Sequence, residues 1–207
     1  GSLFARALAD AGTRDLVVVD RREPATSRSG TATYLEGDIA RPSQEVLRCV
    51  GPCDLLILAI PEPAAIVALD AVLPAMKPGS LVVDTLSVKG RYAQALASQP
   101  PRATAIELLG VNPMFAPDLG FAGRSVVAVP YRPGPRAEAF LEFVAAQGSD
   151  VVRMSAEAHD QACAALQVVT HASILAFGMA LAAGGYDVAV AERIMPPPHR
   201  SPGPPRS

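Results

Sequence analysis

Residues 54–84, DLLILAIPEPAAIVALDAVLPAMKPGSLVVD, decide the fold. Asp54–Ile60 is a short, continuous apolar run, the pattern of a strand buried on both faces. Ala64–Met76 is entered through prolines and closed by Lys77-Pro78-Gly79, the punctuation of a helix. Leu81–Asp84 is a second buried strand. Strand, helix and strand in that order form a βαβ unit and so predict a parallel sheet.

The same alternation runs outward in both directions. Toward the N-terminus, Leu3, Phe4, Ala7, Leu8 and Ala11 share one face of a helix over Ser2–Ala11, which Gly12 ends. Leu16–Asp20 (LVVVD) is a buried strand, Arg21–Thr33 is polar and turn-rich, and Ser43–Val50 is a short helix. Toward the C-terminus come a helix at Arg91–Ala97, strands at Ala105–Val111 and Ser125–Val129, a helix at Arg136–Gln147 and a last strand at Asp150–Met154. After Ser155 the rhythm changes. Ala156 to about Ala183 is helical throughout, with Ser155 as N-cap and Glu157 suited to the helix dipole.

The predicted fold class is α/β: a Rossmann-like, doubly wound, mainly parallel sheet followed by an all-helical segment. Residues 1–154 form the dinucleotide-binding domain, 155–194 begin an all-helical domain, and 195–207 are a Pro-rich tail read as disordered. A dinucleotide fold opens with a strand, a Gly-x-Gly-x-x-Gly turn and a helix, followed by a second strand ending in an acid. Gly1 fits the last glycine of that turn, and Asp20 fits the acid that bonds the ribose hydroxyls. The first strand and the first two glycines are therefore expected to be missing, which predicts an exposed sheet edge and weak nucleotide binding. Asp20 favours NAD, whereas Arg21 and Arg22 keep NADP open. Ala59, Ile60 and Pro61 stand at the carboxyl end of the strand Asp54–Ile60, where such sheets hold ligands, and are read as lining the cofactor crevice.

Composition bounds the function class. Half of the 207 residues are hydrophobic and the formal net charge is −2, which leaves no basic footprint for nucleic acid. No uninterrupted apolar run reaches the roughly 18 residues of a membrane span, and no signal peptide is read at the start. Cys49, Cys53 and Cys163 match no zinc or redox pattern and are read as free thiols in a reducing, cytoplasmic compartment. No metal site is expected.

Three segments then carry a family resemblance: Val83-Asp84-Thr85-Leu86-Ser87-Val88-Lys89, Gly110–Asp118 (GVNPMFAPD), and Ser155–Gly178 (SAEAHDQACAALQVVTHASILAFG). In order and content they resemble the prephenate and arogenate dehydrogenase family. The resemblance implies a nicotinamide-dependent oxidative decarboxylation of a cyclohexadiene, a helical dimerisation and substrate domain that begins at residues 155–194, and a homodimeric, cytoplasmic full-length protein. It places Ser87 beside the nicotinamide and the C4 substituent, Asp118 as an acid that orders the site, and His171 as a substrate-binding histidine. Gln167 joins Cys163 and His171 on one helix face at i, i+4, i+8.

The family's catalytic histidine falls at Asn112, which cannot act as a base. That departure fits a branch acting on 4-amino-4-deoxyprephenate in specialised metabolism. Prephenate or arogenate oxidation and an inactive, truncated relative stand as alternatives, and a β-hydroxyacid dehydrogenase ranks below them. Lys89 is read as capping or solvating the next helix, and His159 and Asp160 as first-turn polar residues. Arg193 and Arg200 are the nearby arginines for a ring carboxylate.

Overall fold

The computed structural model describes residues 1–22, 32–100, 105–185 and 190. The tail from Met195, Arg193 and Arg200 lie outside the described residues. Two compact units divide the chain, Gly1–Asp160 and Gln161–Ser207.

The first unit runs α1 (Ser2–Asp10), β1 (Val17–Asp20), β2 (Thr33–Glu36), α2 (Gln44–Val50), β3 (Leu55–Leu58), α3 (Glu62–Ala75), β4 (Leu81–Asp84), α4 (Gly90–Ala97), β5 (Glu107–Pro113), β6 (Ser125–Arg132), α5 (Pro135–Ala146) and β7 (Asp150–Arg153). A one-turn 3-10 helix, Pro117–Leu119, follows β5. Helix α6 (Ala156–Ala183) begins in the first unit and continues into the second.

Strands β3 to β7 pair in sequence order in one sheet, all parallel except the antiparallel β5–β6 pair. Strands β1 and β2 pair in parallel as a separate two-stranded sheet. The short β2, TYLE, was not expected; it falls just after the polar stretch, and its apolar content is only Tyr34 and Leu35. It is a strand because it pairs with β1, Val18 opposite Tyr34 and Val19 opposite Leu35.

Alternation along the strands builds two apolar layers. Val82 and Leu108 face a core filled by α2, α3 and α4, including Val46, Leu69, Val72 and Tyr92. Leu81, Val83, Leu109 and Val111 face the opposite core, where α1 supplies Phe4 and α5 supplies Phe140 and Val144. Each fully buried aliphatic side chain contributes about 1.5–3 kcal/mol relative to exposure, so both faces of the sheet are committed. That is the doubly wound arrangement. Gly12 has φ 85°, the left-handed conformation expected after α1.

Helix α6 corrects one expectation. It is long and apolar enough to cross a membrane by length and composition. Gln167, Thr170, His171 and Ser173 interrupt its apolar run, while the helix as a whole stays apolar. Within the second unit its Leu166, Val168, Val169, Ile174, Leu175 and Met179 are all exposed.

Candidate active site

The carboxyl ends of β4 and β5 and the first turn of α6 bring a polar cluster together. Asp84 ends β4 and faces Gly110 of β5 in register. Its side chain turns back on the following loop. Oδ1 accepts the Leu86 N–H at 3.0 Å and the Lys89 Nζ at 2.5 Å. Lys89 Nζ also donates to the Val111 carbonyl at 3.0 Å. Both side chains of this ion pair are fully buried. Lys89 is therefore not a solvated cap; its ammonium clamps the β4 loop to β5. Burial pushes the Asp84 carboxyl above the usual carboxylate range, against the pull of Lys89.

Gly110 leaves the room this pair needs. A Cβ there would stand 2.7 Å from the Tyr131 hydroxyl, 3.0 Å from Asp84 Oδ2 and 3.1 Å from Lys89 Nζ. Burial, reinforced by the neighbouring Asp84, drives the Tyr131 hydroxyl far above its ordinary range.

Two positions beyond Gly110, Asn112 comes to the end of β5 and is half-buried. Its Nδ2 lies 3.0 Å from His159 Nε2. His159 is fully buried, and its Nδ1 lies 2.7 Å from Asp160 Oδ1. Ser155 Oγ accepts the Ala158 N–H at 3.1 Å, the N-cap that starts α6 and sets this turn. Asp160 also reaches across to α4, accepting the Lys89 N–H on Oδ1 and the Gly90 N–H on Oδ2, each at 2.8 Å. Burial raises the Asp160 carboxyl, but the bonds from His159, Lys89 and Gly90 outweigh it and hold it below the usual range.

His159 and Asp160 were expected only as first-turn polar residues, yet His159 meets Asn112 and Asp160 meets His159. The signal in the sequence is a His-Asp pair directly after a Ser cap. Nothing in the sequence alone says that this turn returns to the ends of β4 and β5.

The other expected site residues are more dispersed. Ser87 is exposed in the β4 loop, and Asp118 is exposed in the one-turn helix. Gly1 caps α1 and abuts Ala59, the residue after β3: a Cβ on Gly1 would stand 3.4 Å from the Ala59 Cβ. Ile60 is half-buried and Pro61 caps α3. Asp20 is exposed at the end of β1, its Oδ1 accepting the Arg22 N–H at 3.2 Å. Gln167 and His171 belong to the second unit, where both are exposed. Among the described residues no cluster of three or more His, Cys, Asp or Glu side chains could hold a metal ion.

No family model matches the chain. It is 43% identical over 163 residues to a 4-amino-4-deoxyprephenate dehydrogenase of Streptomyces pristinaespiralis, covering 79% of this chain and 54% of that protein. It is 36% identical over 115 residues to the T-protein of Enterobacter agglomerans, covering 54% of this chain and 29% of that protein. The chain thus spans about half the length, or less, of these curated relatives.

Among solved structures, prephenate dehydrogenase from Aquifex aeolicus has a TM-score of 0.65 at 18% identity, covering 87% of this chain and 66% of its own. Arogenate dehydrogenase from Synechocystis has a TM-score of 0.66 at 19% identity, covering 92% of this chain and 73% of its own. These two establish the fold as Rossmann-like. By sequence the chain is similar over 163 residues to the Streptomyces enzyme, and by fold it is similar to these prephenate and arogenate dehydrogenases.

Proposed function

We propose that the protein carrying this chain oxidatively decarboxylates 4-amino-4-deoxyprephenate to 4-aminophenylpyruvate with a nicotinamide cofactor, as a cytoplasmic homodimer. The observation that carries this reading is Asn112, which stands where the resemblance places a histidine base. The 43% identity to an enzyme named for that substrate supports it.

The residues around α1 fit a dinucleotide. Helix α1 has no side-chain N-cap bond and no acid in its first turn, so its N-terminal N–H groups suit a pyrophosphate. Gly1 lies against Ala59 without a Cβ, and the exposed Asp20 carboxylate ends β1, in position to accept ribose hydroxyls. Asp20 would repel a 2′-phosphate, so NAD is the preferred form. A related structure from A. aeolicus is a complex with NAD+. When bound, the nicotinamide accepts the hydride that leaves C4 of the ring.

The chain's own groups orient the substrate. Loss of hydride leaves positive charge at C4, and the C4 substituent must feed electrons into the ring. A hydroxyl does this well when a base takes its proton, worth typically about 10²–10⁴-fold. A neutral amine donates its lone pair with no base, and the Asn112 amide oxygen can accept one of its N–H bonds. Cleavage of the carboxylate bond then returns an electron pair to the ring, which becomes aromatic, and CO2 leaves. Ser87, exposed on the β4 loop, can bond the same substituent, and Asp118 can order the loop after β5. Gln167 and His171 stand in this reading as substrate-binding residues of α6. The exposed apolar side chains of α6 suit packing against helices of a second subunit.

The test is kcat/KM for the 4-amino compound and for prephenate, in the unmutated protein and in Asn112→His. The amino compound should be preferred, and Asn112→His should raise activity on prephenate. Oxidation of prephenate at least as fast as the amino compound by the unmutated protein overturns the assignment.

A further inference from the structure

We propose that His159 and Asp160 form a positioning dyad that sets the polarity of the Asn112 amide, turning its oxygen toward the C4 substituent of the substrate. The proposal rests on the functional reading above and names what makes its site selective.

The argument runs outward from Asp160. Its Oδ1 and Oδ2 take the Lys89 and Gly90 backbone N–H groups, both at 2.8 Å. These bonds stabilise the ionised carboxylate, which can only accept. The His159 nitrogen that faces it, Nδ1 at 2.7 Å, must therefore carry a proton. In a neutral ring the other nitrogen, Nε2, is then a lone-pair acceptor. Asn112 meets that lone pair with its Nδ2 at 3.0 Å, the one polarity that makes a hydrogen bond. The amide is a donor at one end and an acceptor at the other, so its Oδ1 is what remains for the substrate. Full burial of His159 and the trans-capping of α4 by Asp160 leave the imidazole little freedom to turn.

The chemistry needs that polarity. An acceptor on an amine N–H pushes electron density onto nitrogen and favours donation into the ring. An amide NH2 pointed at the same nitrogen would bind the lone pair and withhold it. The dyad is thus a specificity device that acts through Asn112, without touching the reacting atoms.

The test has a spectroscopic arm and a kinetic arm. Long-range 1H–15N spectra of the histidine-labelled protein should show His159 as the neutral tautomer protonated on Nδ1. An Nε2–H tautomer, or an imidazolium, at the pH of maximal activity overturns the proposal. Asp160→Asn keeps one acceptor for the α4 cap but can donate to Nδ1, which moves the imidazole proton to Nε2 and reverses Asn112. That variant should lose roughly 10-fold or more in kcat/KM on the 4-amino substrate, the scale of one polar bond left unmade. Asn112→Asp added to Asp160→Asn restores an acceptor toward the substrate and should recover most of the loss, which a purely structural role would not predict. A switched tautomer with unchanged kcat/KM overturns the proposal, as does a folded double variant no faster than the single one. If Asp160→Asn does not fold, the spectrum of the unmutated protein still decides the polarity. If prephenate proves the better substrate while the Nδ1–H tautomer holds, the substrate assignment falls and the positioning of Asn112 stands.

Discussion

Replacing Lys89 by Met removes one charge from a fully buried pair and keeps most of the side-chain volume. Lys89 Nζ gives up its bond to Asp84 Oδ1 at 2.5 Å and its bond to the Val111 carbonyl at 3.0 Å. Asp84 keeps the Leu86 N–H but loses its counter-ion in a site with no solvent exposure. Breaking a buried pair from one side costs about 3–5 kcal/mol. For a domain of this size each kcal/mol lowers Tm by about 2–4 °C, so the fall should be about 6–20 °C. The penalty has a pH signature. Burial raises the Asp84 carboxyl above its unfolded value of 3.8. A raised carboxyl favours folding in its protonated form, so the Lys89→Met deficit should be smallest below that unfolded value and grow as pH rises through the folded one. Adding Asp84→Asn removes the stranded charge and should recover most of the loss. Thermal melts by circular dichroism across pH provide the assay. A Lys89→Met protein within about 1 kcal/mol of the parent, far below the cost of a stranded buried charge, refutes the reasoning, and so does a double variant no more stable than the single one.

Gly110→Ala would place a methyl 2.7 Å from the Tyr131 hydroxyl; urea denaturation should show a loss of about 1–3 kcal/mol, the usual cost of overpacking. Asp20→Ala should narrow the preference for NAD over NADP by about 1–3 kcal/mol, read as the ratio of kcat/KM values; a parent enzyme that prefers NADP would shift the assignment to Arg21 or Arg22. The lowered Asp160 carboxyl stabilises the fold above its unfolded value of 3.8, and that contribution is lost as pH falls through the folded value. Asp160→Asn should therefore flatten the acid limb of the stability profile, and an unchanged limb would contradict the bonds drawn to Asp160.

The sheet was legible because its strands are buried on both faces and so read as plain apolar runs. Leu81–Asp84 was expected and observed with the same ends, and Ser43, read as the first residue of a short helix, is instead the cap of α2, its Oγ 3.3 Å from the Val46 N–H. Strand β2 was not legible, since its order comes from pairing with β1 rather than from its own pattern. The site was legible in part. Asn112 falls near the end of β5 and Ser87 in the short loop after β4, where a motif in sequence stays a motif in space. Lys89 and His159 were misjudged for one reason: a charged or polar residue in the first turn of a helix is normally solvated. Whether it is buried depends on a contact across many residues of chain, as between Lys89 and Asp160. No local pattern encodes that contact.

Two polar networks meet in Lys89, and their junction explains why the segment from Asp84 to Gly90 is held so firmly. The ammonium bonds Asp84 and the Val111 carbonyl, which fixes the loop to the sheet below it. The main-chain N–H of the same residue bonds Asp160, which fixes the loop to the first turn of α6. Ser87 therefore sits on a loop tied down on both sides, and Asn112, next in sequence to Val111, is steadied through the backbone on one side and through His159 on the other. On the proposed function, this arrangement orients the polar groups before a substrate arrives, so that little side-chain reorganisation is needed. It also makes Lys89 a residue whose loss should be felt twice: in stability through the buried pair, and in the placement of Asn112 through the strand that Lys89 clamps.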